Sequence, residues 1–165
     1  MLKQRPQLGA WALWSEWRNR PARLVSLFYL EVGVERILLI HPDGVLRDRL
    51  TFLLQHLGFR VATAAEGQQG LAEIEGNCPD LIVMAESSHR LNGDEPCIRV
   101  REISDAPIVI LGQGEEEVAG VEFLEMGADV YLTSPLDARE LLAYVHSLLR
   151  RRQMQQSVKG DSKEQ

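Results

Sequence analysis

The side chains that could do chemistry in this chain are few, and they do not form a set. Ser87, Ser88 and His89 supply a nucleophile and a base within three residues. Adjacency along a loop does not make a dyad, because the base must be held within hydrogen-bond reach and oriented by a third group. His41 is a potential metal ligand with no obvious second ligand beside it. Asp43 offers one weak carboxylate ligand, or the cap of a following helix, a standard role for aspartate at such a position. Cys78 and Cys97 have neither a disulfide framework nor metal spacing, and read as ordinary thiols of a reducing compartment. An enzyme is therefore not expected, and no metal or cofactor is expected either.

The elements that must position these residues follow from hydrophobic periodicity. Ile37-Leu38-Leu39-Ile40 is a continuous apolar run of strand length. Val45, Leu46, Leu50, Leu53, Leu54 and Leu57 follow at helical spacing and stop at Gly58. Val61–Ala64 reads as a second strand, and Gln68 to Glu75 as a helix ending at Gly76. Leu81-Ile82-Val83-Met84-Ala85 is a third strand, followed by a polar loop to Gly93 and a short helix near Pro96 to Ile103. Pro107 opens the strand Ile108–Leu111; Glu115 to Met126 is a helix ending at Gly127, Val130–Leu132 a last strand, and Asp137 to about Arg152 a last helix.

These are five βα units. Strands apolar on both faces imply a parallel sheet with helices on each side. Right-handed crossovers then give an open, doubly wound α/β fold with strand order 2-1-3-4-5. In such folds ligands sit outside the carboxyl ends of the strands, near the switch between strands 1 and 3. Function is therefore to be sought at residues 41–43, 85–87, 112–113 and 134–135. Glu86 follows Ala85, and one step along a strand turns a side chain to the opposite face, so it reads as a loop glutamate.

Across residues 36–150 several stretches are similar to the receiver domain of two-component response regulators. They are Pro79-Asp80-Leu81-Ile82, Asn92-Gly93, Ala106-Pro107-Ile108-Val109-Ile110-Leu111, Gly127-Ala128-Asp129-Val130-Tyr131-Leu132-Thr133, Pro135-Leu136 and Arg139-Glu140-Leu141-Leu142. Order and spacing carry the match. The resemblance implies a flavodoxin-like fold with five functional side chains at the strand ends. An acidic pair holds Mg²⁺, an aspartate accepts the phosphoryl group, and a hydroxyl and a lysine bind it, which together neutralise charge on the transferring oxygens.

In this chain the acidic pair falls on His41 and Pro42, the acceptor on Ala85, the hydroxyl on Gly112 and the lysine on Ser134. The resemblance thus implies a degenerate receiver, or pseudo-receiver, whose phosphorylation site is lost. Asp43 and Glu86 remain as a possible residual site. Tyr131 matches the family's switch aromatic, and Ser134-Pro135 matches a peptide bond that is cis in the family.

Charge is unevenly spread. Residues 1–34 carry five basic and two acidic groups, residues 35–150 nine and twenty, and residues 151–165 four and two. An acidic centre is a poor footprint for nucleic acid, so protein partners are expected. The fourth-helix, fifth-strand, fifth-helix face, from Glu115 to Arg152, mixes acidic Glu115, Glu116, Glu117, Glu122 and Glu125 with basic Arg139, Arg150, Arg151 and Arg152. Such signs can pair across a two-fold axis in a homodimer.

The expected organisation is an N-terminal extension over 1–34, poorly ordered or partly helical and holding Trp11, Trp14 and Trp17. A degenerate receiver spans 35–152, and a disordered polar tail 153–165. The fifteen residues after Arg150 are too few for a DNA-binding domain, so output is expected through another protein. Leu24 to Leu30 is far short of the roughly 20 apolar residues of a membrane span, and a cytoplasmic location is expected. The leading function is a phosphorylation-independent signalling module acting by protein–protein interaction. The alternative is a small-ligand-binding module. His41-Pro42-Asp43-Gly44 resembles the His-x-x-Gly part of the cobalamin-binding motif, but Leu39 stands where that motif has aspartate.

Overall fold

The computed structural model describes residues 35–89, 96–113 and 117–161. Among these residues five strands and five helices alternate: β1 (Arg36–Ile40), α1 (Gly44–His56), β2 (Arg60–Ala64), α2 (Gly67–Asn77), β3 (Leu81–Ala85), α3 (Pro96–Ile103), β4 (Ile108–Leu111), α4 (Glu117–Glu125), β5 (Val130–Leu132) and α5 (Ala138–Asp161). A 3₁₀ turn, Glu86–His89, follows β3. The strands form one parallel sheet in the order β2-β1-β3-β4-β5, as the apolar runs required.

Strand alternation divides the core in two. Ile37 and Leu39 of β1 join Leu50 and Leu54 of α1 and Leu141 and Val145 of α5 on one face. Leu38 and Ile40 join Ile74 of α2, Val100 of α3 and Phe123 of α4 on the other. Every residue of β3 and β4 is buried, so neither face could carry a polar residue without an unpaired group. Each fully buried leucine or isoleucine contributes roughly 1.5–3 kcal/mol. Arg101 of α3 adds a polar tie. It donates to the Gly127 carbonyl and to the Asp129 carboxylate, which in turn accepts the Ile108 amide, linking α3 to the starts of β4 and β5.

The ends of α2 and α5 differ from the sequence reading. α2 ends not at Gly76 but at Asn77, where Cys78 takes a left-handed conformation (φ 44°) and donates its amide to the Ile74 carbonyl. The last helix does not stop near Arg152, and residues 153–161 are not the expected disordered tail. α5 continues to Asp161 because no breaker occurs before Gly160 and Gln153, Met154, Gln155 and Gln156 are good helix formers. Arg152 donates to the Asp80 carbonyl at 3.2 Å, and Gln153 to the Glu35 carboxylate at 2.6 Å, which tie this stretch to the sheet's amino end. The fourth helix begins at Glu117; residues 114–116, the loop at Asn92-Gly93, the extension 1–34 and residues 162–165 lie outside the described residues. Among the described residues no helix is long and apolar enough to cross a membrane.

Two glycines on one helix give a test of how α2 packs. A Cβ at Gly70 would overlap the Cδ1 of fully buried Ile40, whereas one at Gly76 meets nothing within 4 Å. Gly70→Ala is expected to lower stability by about 1–3 kcal/mol through overpacking. Gly76→Ala is expected to raise it by up to about 1 kcal/mol through helix propensity. Urea midpoints moving in the same direction would contradict this packing of α2 on β1.

Candidate functional site

The register aligns the carboxyl ends of four strands. Ile40 pairs with Met84, Ala85 with Leu111, and Leu111 with Leu132. The next residues along each strand, His41, Glu86, Gly112 and Thr133-Ser134, therefore share one edge of the sheet.

At the end of β1, His41 is buried (6% exposed). Its Nδ1 accepts the Asp43 amide at 3.0 Å, and its carbonyl accepts the Arg47 guanidinium at 2.6 Å. Asp43 is the N-cap of α1, with Oδ1 accepting the Val45 and Leu46 amides at 2.8 and 3.2 Å. Pro42 supplies no donor or acceptor from its side chain. Among the described residues no three His, Cys, Asp or Glu side chains converge as metal ligands.

At the end of β3, Ala85 is fully buried. Glu86 is a loop glutamate in the 3₁₀ turn after β3, and its carboxylate is engaged. The chain leaves strand geometry at Ala85, and the 3₁₀ turn brings the Glu86 carboxylate inward over β4. Its Oε2 accepts the Gln113 amide at 2.9 Å and the Tyr131 hydroxyl at 3.2 Å. The Tyr131 ring lies over Gly112 so closely that a Cβ there would overlap the Tyr131 hydroxyl and Cζ. On its other side the ring stacks on Phe123 of α4 (centroids 5.7 Å, 18° between planes), and a Cβ at Gly120 would come within 3.1 Å of its Cδ1. The room left by the missing side chain at 112 is filled by Tyr131 itself rather than left as a vacant pocket.

Ser134 Oγ donates to the Gly112 carbonyl at 2.9 Å, and the Ser134–Pro135 peptide is cis. A cavity of about 280 Å³ does exist, but at the sheet's other end, among Arg36, Arg60, Glu73 and Asn77. The sequence reading located the edge residues. It missed the parts of Gln113, Gly120 and Phe123, which become visible only once the Tyr131 ring is located.

Residues 37–146 match the response regulator receiver domain family. Over 115 residues the chain is 38% identical to the transcriptional regulatory protein AfsQ1 of Streptomyces coelicolor, covering 70% of this chain and 51% of that protein. It is 36% identical over 118 residues to the alkaline phosphatase synthesis transcriptional regulatory protein PhoP of Bacillus subtilis, covering 71% and 49%. A two-component response regulator from Clostridium difficile has a TM-score of 0.64 at 28% identity, over 71% of this chain and 97% of that one. The chain spans about half the length of the curated relatives it matches. It belongs to the response regulator receiver domain family.

Burial holds the imidazole of His41 below the ordinary 6.5; the Asp43 carboxylate opposes this and Arg47 adds to it. His146 is exposed at the surface, yet partial desolvation where its ring meets Phe59 and the Arg150 guanidinium lower it in the same sense. The fold thus favours both neutral rings, so their contribution is full above the unfolded value and is lost as pH falls below it. Urea midpoints are expected to drop as pH is lowered from about 7 through 6.5. The His41→Gln variant should show a shallower drop; an unchanged slope would contradict the burial of that ring.

Proposed function

We propose that this receiver domain works without phosphorylation, as a signalling or regulatory module that acts through protein–protein contact. The observation that carries the reading is the chemistry of the strand ends. Ala85 has no nucleophile, Pro42 no metal-binding side chain, Gly112 no hydroxyl and Ser134 no cation. Phosphoryl transfer needs a nucleophile, a metal and a neutralising cation together. Asp43, the carboxylate nearest the missing acidic pair, is engaged as a helix cap. Glu86 is engaged with Gln113 and Tyr131.

The contact surface we favour is the face of α4, β5 and α5. Val121 and Leu124 of α4 and Tyr144 of α5 are exposed (57%, 47% and 39%). Acidic Glu122 and Glu125 on α4 and basic Arg139 and Arg151 on α5 are complementary signs. A second copy across a two-fold axis, or a signalling or transcriptional protein of matching charge, fits such a face. The relatives' names as transcriptional regulators favour an output of that kind.

The test is to return the nucleophile alone. Ala85→Asp, incubated with acetyl phosphate and Mg²⁺, is expected to remain unphosphorylated by intact-mass measurement, because the metal and lysine positions are also changed. A phosphorylated Ala85→Asp variant would overturn the claim that the whole constellation is lost.

A further inference from the structure

We propose that Glu86 is a built-in anchor that holds Tyr131 over Gly112 and so fixes where α4 sits on the sheet. The inference rests on the phosphorylation-independent reading, since it names what sets the shape of the contact face when no group is added.

One carboxylate oxygen receives hydrogen bonds from both sides of α4: the Gln113 amide before the helix and the Tyr131 hydroxyl after it. Hydrogen bonds to a carboxylate are about twice as strong as neutral ones, so this oxygen is a strong point of attachment. The Tyr131 ring then carries that attachment to α4. It lies against Gly120 and stacks on Phe123, the buried large apolar side chain that α4 supplies among those described. Ring, helix and strand ends are thus one contact chain running from the end of β3 to the underside of α4.

Gly112 is the permissive half of the device. Any Cβ at this position would overlap the tyrosine hydroxyl and Cζ, so the ring can occupy this place only where residue 112 lacks a side chain. Glu86 is the holding half. Without its carboxylate the Gln113 amide and the tyrosine hydroxyl lose a shared acceptor, and the ring is released to other rotamers. A two-position tyrosine beneath α4 would shift the population of the contact face. The exposed Val121 and Leu124 ride on the outer side of that helix, so their placement follows the ring.

The experiment is NMR on the full chain, reading nuclear Overhauser contacts from the Tyr131 ring to the Gly112 Hα and the Phe123 ring. Both contacts are expected in the wild type. Glu86→Ala should lose them and shift the Gln113 amide, whereas Glu86→Gln, whose amide oxygen still accepts, should retain them. Gly112→Ser should lose them by filling the space. Contacts that persist unchanged in Glu86→Ala, or that are absent from the wild type, would overturn the anchor. Adding Mg²⁺ and beryllofluoride to the wild type separates this failure from that of the underlying reading. Propagated amide shifts would overturn the phosphorylation-independent function, while a flat response beside persistent Glu86→Ala contacts would overturn the anchor alone.

Discussion

A parallel sheet can exist in water only if both of its faces are covered, and the rest of this structure follows from that constraint. The two buried central strands, β3 and β4, admit no polar side chain along their length. Polar function is therefore displaced to the strand ends, where the chain turns and backbone groups come free. In folds of this kind the reversal of strand order between β1 and β3 marks the edge where ligands bind. Chemistry in such a fold is a matter of which side chains stand at that edge, and the scaffold is indifferent to whether they are present.

Here the residues at the edge carry hydrogen-bonding and packing roles. Asp43 caps α1, His41 accepts a backbone amide, Ser134 bridges to the Gly112 carbonyl, and Glu86 ties Gln113 to Tyr131. The absence of a side chain at 112 has a structural consequence: an aromatic ring occupies the space and reaches across to α4. A glycine at this edge therefore adds packing. That connects the residues at the strand ends to the helix whose outer side is exposed.

Much of this was legible in the chain itself. Ile37–Ile40 and Ile108–Leu111 are uninterrupted apolar runs bounded by turn signals, which fixes buried strands and, through the five βα units, the strand order. The edge residues followed from the strand ends. What escaped was governed by tertiary geometry. Glu86 points inward because strand alternation ceases at Ala85, a fact no periodicity argument contains. Residues 153–161 are polar and suggested a tail, yet good helix formers and the Gln153–Glu35 contact keep them in α5. Arg101 carries no signal in the sequence, yet it binds the Gly127 carbonyl and Asp129 across two connections.

The central claim is that a chain with this scaffold does not accept a phosphoryl group. Intact-mass spectrometry of the wild-type chain after incubation with acetyl phosphate and Mg²⁺, read under conditions that preserve acyl phosphates, addresses it directly. An unchanged mass is the predicted result. Gain of a single base-labile phosphoryl group would mean that the strand ends retain an acceptor, and would contradict the account.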